Sequence, residues 1–215
     1  MEKINDDRSR EIYEYIVDKD VLDIGCFTDF TIIDNPENIW IYGFLKKYAK
    51  SVTGIDIDKE GIKELKKRGY DVHFMSAEDF KFNKKRFDVI FAGDVIEHLS
   101  NPGLFLDRAK EHLKKEGYLI ISTPNIFCLN YKIGGIIRLL NNDLSVNSEH
   151  TIFFSPTVIK TLLNRHGFVI EKYNFVNFHK IDTFKRLVQD ILCNILGKHL
   201  KYTMMIFAKH HKINK

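Results

Sequence analysis

Cysteine is scarce in this sequence. Three cysteines, Cys26, Cys128 and Cys193, stand far apart in a chain of 215 residues. Their wide and irregular spacing excludes a disulfide framework, and it also excludes a zinc site made from closely spaced cysteine pairs. Because such cysteine usage is typical of a reducing compartment, we expect a cytoplasmic protein.

Long hydrophobic runs and a charge of one sign are missing as well. No apolar run reaches the roughly 20 residues that a membrane span needs, and residues 1–8 are too polar for a secretory signal. The 33 Lys and Arg residues are balanced by 29 Asp and Glu and are scattered, whereas a nucleic-acid binder gathers its basic residues on one stripe. We therefore expect no membrane span and no nucleic-acid partner, and the small excess of positive charge leaves open only an anionic substrate.

The remaining composition predicts one globular domain. Hydrophobic residues make up 44% of the chain and charged residues 29%, which are ordinary values for a folded protein. A length of 215 residues supports one sizeable core and is too short for two catalytic domains. We expect a single domain over residues 1–215.

Two apolar segments that end in polar turns predict a ligand site. Residues 21–26 read as a buried strand that holds one carboxylate, Asp23, and runs into Gly25. Residues 52–58 repeat this form and place Asp56 at the strand end. In parallel sheets ligands bind beyond the carboxyl ends of the strands, and an acid there can accept hydrogen bonds from ribose hydroxyls. The pair predicts a nucleoside-containing ligand.

Strand and helix patterns alternate along the chain. Strands are predicted at residues 21–24, 52–56, 70–75, 87–92, 117–122, 168–176 and 202–208, with amphipathic helices before the first strand and between most of the others. This rhythm predicts an α/β fold with a doubly wound sheet and helices on both faces. The last strand is expected to insert antiparallel between the fifth and the sixth.

Two segments break the rhythm. The first is an apolar stretch at residues 126–140, which predicts a lid or substrate roof within an insertion at about residues 124–150. The second is a regular apolar stripe at residues 184–196, which predicts a helix packed on the sheet. A membrane-surface helix or a dimer helix is the alternative for this stripe, so a homodimer stays open.

The order and spacing of these motifs resemble a known superfamily. The run Asp23-Ile24-Gly25-Cys26, the acid Asp56 and residues 87–98 are similar to those of class I S-adenosylmethionine-dependent methyltransferases. Residues 117–125 are similar to the small-molecule group that contains the quinone-ring O-methyltransferases. The resemblance implies a Rossmann-like sheet of seven strands with the last antiparallel. It also implies S-adenosylmethionine as cofactor, S-adenosylhomocysteine as product, and methyl transfer to a small molecule, with oxygen as the expected acceptor atom.

The resemblance assigns the methionine part of the cofactor to the first motif. Backbone amides near Asp23, Gly25 and Cys26 would hold it. The family motif usually continues with two further glycines, but Phe27 and Asp29 stand in their places here. The loop at residues 27–34 must therefore take another path past the methionine carboxylate.

The rest of the cofactor is assigned to the ends of the next strands. Asp56 would bind the ribose hydroxyls and Ile57 would pack on the adenine. Ala77 and Glu78 correspond to the loop that reaches the adenine edge. Gly93 and Asp94 would line the pocket near the sulfonium.

The turn after the fourth strand predicts the catalytic groups. Asp94, Glu97 and His98 follow one another at helical spacing, which suits either acid/base chemistry or a divalent cation. In the quinone-ring relatives this turn is associated with metal binding and catalysis, although Asp94 replaces their more common glutamate. We expect no metal, and we select His98 as the first candidate base, His150 as the second, and Glu97 as a further catalytic residue.

Other reactive side chains have plainer interpretations. Cys26 is expected to be a small buried neighbour of the cofactor because no nearby group would activate its thiol. The lone histidines His73, His112 and His179 are expected at the surface.

Two other functions are weighed against the methyltransferase. The missing glycines leave open a protein that kept the fold and lost turnover. A nicotinamide-dependent oxidoreductase is disfavoured, because its fingerprint needs three glycines and an acid about 20 residues later. The interval from Gly25 to Asp56 is too long for that pattern.

Overall fold

A seven-stranded sheet forms the centre of the molecule. The computed structural model describes residues 6–35, 40–128, 150–177, 191–193 and 195–210. The strands are β1 (Asp20–Ile24), β2 (Ser51–Asp56), β3 (Val72–Phe74), β4 (Phe87–Gly93), β5 (Leu113–Pro124), β6 (Phe168–Val176) and β7 (Thr203–His210). Their order is β3-β2-β1-β4-β5-β7-β6, and β7 runs antiparallel to both of its neighbours. The predicted fold class, including the position of the last strand, is confirmed.

Every α-helix of the described residues except the one at Ile41–Tyr48 begins after a capping side chain. The α-helices are α1 (Asp7–Ile16), α2 (Phe30–Ile33), α3 (Ile41–Tyr48), α4 (Lys59–Lys67), α5 (Pro102–His112) and α6 (Pro156–Arg165), with 3-10 turns at Ile96–His98 and Lys198–Leu200. Asn101 and Ser155 cap α5 and α6 by accepting backbone N–H groups, and a proline follows each of them. A capping side chain followed by proline at the first helical position is a common start of helices.

Side chains of β1 alternate between the two faces of the sheet. Leu22 and Ile24 lie in the core covered by α5 and α6, whereas Val21 lies in the core covered by α1 and α3. Because strand side chains alternate with a period of two, Asp23 is on the same face as Val21. The sheet therefore turns this carboxylate toward α1.

Most strand bounds agree with the predicted ones to within two residues, but the start of β5 and the loop after β1 differ more. β5 begins at Leu113, four residues before the predicted start, and Leu113 pairs with Phe87 of β4. The charged Lys114 made this segment read as something other than a strand. In the structure its ammonium lies 2.8 Å from the carboxylates of both Asp20 and Asp88, which explains how a lysine is accommodated there. The loop after β1, expected to be irregular, contains α2, which begins after Asp29.

His112 is not at the surface, so that prediction is wrong. Its side chain is buried at 5% exposure because both ring nitrogens find partners inside the protein. Nε2 accepts the N–H of Phe82 at 3.0 Å, and Nδ1 lies 2.8 Å from the carbonyl oxygen of Arg108. His73 is partly exposed beside Asp71, and His179 lies outside the described residues.

Both segments that broke the rhythm fall largely outside the described residues. Residues 129–149 hold most of the predicted lid, and residues 178–190 and 194 hold most of the predicted apolar helix. Residues 191–193 and 195–196 are helical. Within the part of the chain that the structure describes, no helix combines the length and apolar character needed to cross a bilayer.

Candidate active site

The turn after β1 is tightly fixed. Gly25 has a φ of +74°, and a Cβ placed on it would lie 2.6 Å from Cγ2 of Val95. The N–H groups of Gly25 and Cys26 both donate to the carbonyl oxygen of Ile55, at 2.9 and 3.1 Å. Cys26 is 2% exposed, and burial raises the pKa of its thiol. The position therefore requires glycine, and Cys26 is buried, as expected. The N–H groups of Gly25 and Cys26 are bonded to Ile55, contrary to the expectation that these amides hold the cofactor.

A cavity of about 280 Å³ lies beside this turn. Its lining includes predicted cofactor residues from the ends of β1 and β4, namely Asp23, Gly25, Cys26, Gly93 and Asp94. Aromatic side chains of Trp40 and Tyr42 form another part of the wall. The cavity therefore lies at the carboxyl ends of the central strands, where parallel sheets bind ligands.

The cavity wall carries charges of both signs. Nη1 of Arg8 lies 3.3 Å from Oδ2 of Asp94. Asp23 is 2% exposed, and its burial raises the pKa of the carboxyl well above the usual range, although the positive charge of Arg8 opposes this effect. A ligand with both a cationic and an anionic end would find a partner for each.

Arg8 is the charged residue of this cavity that was not predicted from the sequence. It stands four residues before Ile12 and eight before Ile16, which are both fully buried. Residues at this spacing share one helix face. The sequence therefore did contain one indication of its role: a charged side chain on the buried face of a helix needs a partner, and a ligand site can supply one.

The end of β4 brings Asp94 into the cavity with a strained backbone. Asp94 has a φ of +53°, its N–H donates to the carbonyl oxygen of Ser122 at 2.9 Å, and the Ser122 hydroxyl lies 3.4 Å from Oδ1. Burial raises the pKa of Asp94, and the nearby Arg8 partly opposes this. Such backbone strain is stored preferentially at functional sites.

Asp56 lies outside the cavity, at the end of β2. Its Oδ2 accepts the N–H of Phe27 at 3.0 Å, and its Oδ1 accepts the N–H of Asp58 at 2.9 Å. A carboxylate offers about four acceptor positions, so both oxygens can accept further hydrogen bonds. Ile57 is 72% exposed, and Phe74, the register partner of Asp56, is 55% exposed. An acid with exposed apolar neighbours suits a ribose joined to a flat base.

The two residues predicted at the adenine edge, Ala77 and Glu78, mainly contact other parts of the protein. Ala77 is 7% exposed, and its side chain belongs to the core. Oε1 of Glu78 accepts the N–H of Asn101 at 2.8 Å, which joins this loop to the start of α5. Neither residue lines the cavity. Only the backbone of Ala77 and the second oxygen of Glu78 are available to a ligand.

The three predicted catalytic residues come together. The rings of His98 and His150 lie edge to face with centroids 4.8 Å apart. Thr151 fixes this arrangement, because its N–H and its hydroxyl both donate to the carbonyl oxygen of Glu97 at 2.9 Å. Glu97, His98 and His150 each offer a ligand atom within 4.8 Å of the others. The cluster suits acid/base chemistry or a cation, although the spacing had grouped Glu97 and His98 with Asp94 and not with His150.

Glu97 is a buried acid within this cluster. It is 1% exposed, and its Oε2 accepts the hydroxyl of Thr123 at 2.9 Å. Burial and the neighbouring Asp94 carboxylate raise the pKa of Glu97 to about 8. Glu97 therefore carries a proton at neutral pH. Thr123, like Ser122, is a partner that the sequence did not reveal.

Fold and site together define the class I methyltransferase architecture. A "SAM dependent methyltransferase" structure from Archaeoglobus fulgidus superposes with a TM-score of 0.63 at 21% identity, covering 94% of this chain and 91% of that one. A putative methyltransferase from Bacillus halodurans superposes with a TM-score of 0.60 at 15% identity, covering 95% and 98%. These similarities concern the fold.

The sequence gives the family. The model of a methyltransferase domain family matches residues 3–173, and the chain belongs to this family. A ubiquinone biosynthesis O-methyltransferase of Pelagibacter ubique is 26% identical over 189 residues, which cover 84% of this chain and 74% of that protein. One from Hydrogenovibrio crunogenus is 23% identical over 215 residues, covering 94% and 84%. The predicted resemblance to class I S-adenosylmethionine-dependent methyltransferases and their quinone-ring group is confirmed.

Proposed function

We propose that this chain binds S-adenosylmethionine across the ends of β1, β2 and β4 and transfers its methyl group to a hydroxyl of a small molecule. The observation that carries the proposal is the charged cavity beside Gly25, next to an acid at the following strand end. Relatives named ubiquinone biosynthesis O-methyltransferases support oxygen as the acceptor atom.

The residues present fit the cofactor. The methionine part carries a carboxylate and an ammonium group, for which the cavity offers the Arg8 guanidinium and the carboxylates of Asp23 and Asp94. Asp56 would accept the ribose hydroxyls, and the exposed Ile57 would cover one face of the adenine. Gly25 permits the left-handed turn that ends β1 beside the cavity, and the space next to its Cα is filled by Val95.

Bound S-adenosylmethionine supplies an electrophilic methyl group. As the new carbon–oxygen bond forms, the carbon–sulfur bond breaks, its electron pair stays on sulfur, and the hydroxyl proton has to leave. The chain's part is to hold the hydroxyl in line and accept that proton. His98 takes it at an imidazole nitrogen, and His150 packs against the His98 ring and is the second candidate. The protonated Glu97 keeps this turn in place through Thr123.

Further parts of the proposal concern the setting of this chemistry. We propose one methyltransferase domain over residues 1–215 and a reaction without metal, in which Glu97 holds the turn through the Thr123 hydroxyl and binds no cation. The three cysteines are buried thiols and form no disulfide with one another, which supports the cytoplasm as the location.

A methyl-transfer assay with a panel of small hydroxylated acceptors tests the role of His98. We expect His98→Ala to lower kcat by about 10²–10⁴, the usual share of general base catalysis, with KM for S-adenosylmethionine unchanged. His166→Ala, which removes a histidine paired with Asp107 far along the chain, should leave kcat as it is. EDTA should not change the rate of the native chain.

The opposite results are informative. Full activity of His98→Ala would remove the base from this histidine and favour His150. Loss of activity in EDTA, restored by a divalent cation, would assign the cluster of Glu97, His98 and His150 to a metal. Binding of the cofactor without turnover on any acceptor would favour the inactive protein.

A further inference from the structure

The loop after β1 departs from the family's glycine pattern at Phe27, and the Phe27 ring lies on Gly61. A Cβ placed on Gly61 would be 2.7 Å from carbon atoms of that ring. Gly61 lies in the first turn of α4, where its N–H donates to Oδ1 of Asp58 at 2.7 Å. Alanine favours a helix over glycine by about 1 kcal/mol. The glycine therefore has a packing reason, which is the ring of Phe27.

A second contact joins the same loop to the other end of α4. The rings of Phe27 and Phe30 lie edge to face with centroids 5.1 Å apart. The guanidinium of Arg68, at the end of α4, lies 4.5 Å from the centre of the Phe30 ring and also pairs with Asp34. The loop is thus held along the length of the helix.

The backbone of Phe27 acts on the predicted ribose site. Its N–H donates to Oδ2 of Asp56 at 3.0 Å, and the N–H of Asp58 donates to Oδ1 at 2.9 Å. These two bonds fix the plane of the carboxylate from opposite oxygens. One of them comes from the loop whose position depends on the Phe27 ring.

We propose that Phe27 is a positioning residue for the ribose site: its ring, seated on Gly61, holds its own N–H on Asp56 and so orients the carboxylate toward the ribose hydroxyls. The inference rests on the proposed function, since it assigns the ribose to Asp56. Phe27 stands where the family motif usually has a glycine, and in this chain its aromatic contact with α4 fixes the path of the loop.

A double-mutant cycle on the full chain tests the proposal. The variants are Gly61→Ala, Phe27→Ala and the double variant, with Lys63→Ala as an exposed control on α4. The probes are S-adenosylhomocysteine and its 2′,3′-dideoxy derivative, titrated by calorimetry. We expect Gly61→Ala to weaken binding of S-adenosylhomocysteine about tenfold, because the new methyl group displaces the ring. In the Phe27→Ala background the same change should have little effect, since no ring is left to displace.

The dideoxy probe separates positioning from general loss of structure. Without ribose hydroxyls, the native chain and Gly61→Ala should bind it equally, whereas a damaged fold would weaken both probes alike. Methyl transfer should show the same pattern, with KM for S-adenosylmethionine raised in Gly61→Ala and kcat retained. Phe27→Leu, which keeps an apolar side chain, replaces Phe27→Ala if that variant does not fold.

The failures are distinguishable. If the native chain does not bind S-adenosylhomocysteine, the proposed function and this inference both fall. If the native chain binds it and Gly61→Ala binds it equally well, Phe27 has no positioning role and the proposed function stands. Equal weakening with both probes, or additive effects in the double variant, also overturns the positioning role.

Discussion

At the scale of single residues, the site depends on carboxyl groups that the fold keeps from water. Asp23 and Glu97 are 2% and 1% exposed, and burial raises the pKa of each. A charge is costly to bury without a partner. For Asp23 the partner available in the cavity is the Arg8 guanidinium, whereas Glu97 avoids the cost by keeping its proton.

Glu97→Gln should change how stability depends on pH. The folded pKa of about 8 lies above the usual 4.5, so between these values the folded chain binds more protons than the unfolded chain. Stability must therefore fall as pH rises through this window, by at most about 1.4 kcal/mol per pH unit from this group. Glutamine is neutral throughout, and we expect the variant to gain stability relative to the native chain from pH 5 to about pH 8.

Urea unfolding of both chains at several pH values measures this difference. Because the other acids remain in both chains, the change in the free energy of unfolding between them isolates Glu97. A difference that is constant across the window would show that Glu97 is ionised in the folded protein.

At the scale of elements, the turn between β1 and the following loop is the most constrained piece of the site. Its backbone needs a left-handed residue at Gly25, its amides are bound to Ile55, and Val95 closes the space above it. Trp40 adds a further tie, because its Nε1 donates to the carbonyl oxygen of Cys26 at 2.8 Å. The turn is held from β2, from the loop after β4 and from the start of α3.

Gly25→Ala should destabilise the chain and weaken binding of S-adenosylhomocysteine. The left-handed backbone costs a non-glycine residue about 1–2 kcal/mol, and the contact with Val95 adds to this. Gly69→Ala is the matched control: Gly69 has a φ of +83° with no atom within 4 Å of an added Cβ. It should show the backbone cost alone and bind S-adenosylhomocysteine normally.

The comparison is made by urea unfolding and calorimetric titration of both variants. Val95→Ala in the Gly25→Ala background should recover the part of the loss that comes from the contact. If Gly25→Ala and Gly69→Ala behave alike in stability and in binding, the turn at Gly25 has no special part in the site.

Sequence reasoning succeeded where a local pattern determines the element. The apolar runs before Gly25 and Asp56 predicted both strand ends because buried parallel strands are mostly apolar. Sequence reasoning gave the wrong bounds where a contact between residues far apart in the sequence determines the element. The start of β5 depends on Lys114 meeting Asp20 and Asp88, and no local pattern carries that information.

The candidate site shows the same division. The spacing after β4 predicted that Glu97 and His98 lie together, and the structure brings His150, the second candidate base, to them. Arg8 and Asp94 are 86 residues apart in the sequence. They meet in the site because α1 packs beside β4. The path of Phe27 onto Gly61 likewise depends on how α4 lies against the loop.

At the scale of the whole molecule, the sheet order explains why the site lies where it does. β1 is central, between β2 and β4, so its end meets Asp56 on one side and Asp94 on the other. Connections from β1 and β4 leave in opposite directions along the sheet, which opens a crevice at this point. The cavity, Asp56 and the cluster of Glu97, His98 and His150 all lie at or after the carboxyl ends of the central strands.

The central claim is that the cavity and Asp56, at the ends of β1, β2 and β4, bind S-adenosylmethionine. Calorimetric titration of the full chain with S-adenosylhomocysteine tests this claim most directly. The native chain and Glu116→Ala, which removes an exposed carboxylate near the start of β5, should bind at micromolar concentration. Asp56→Ala should bind at least about tenfold more weakly, or about 1.4 kcal/mol, and NADH should not bind. No binding by the native chain, or equal binding by Asp56→Ala, would contradict the account.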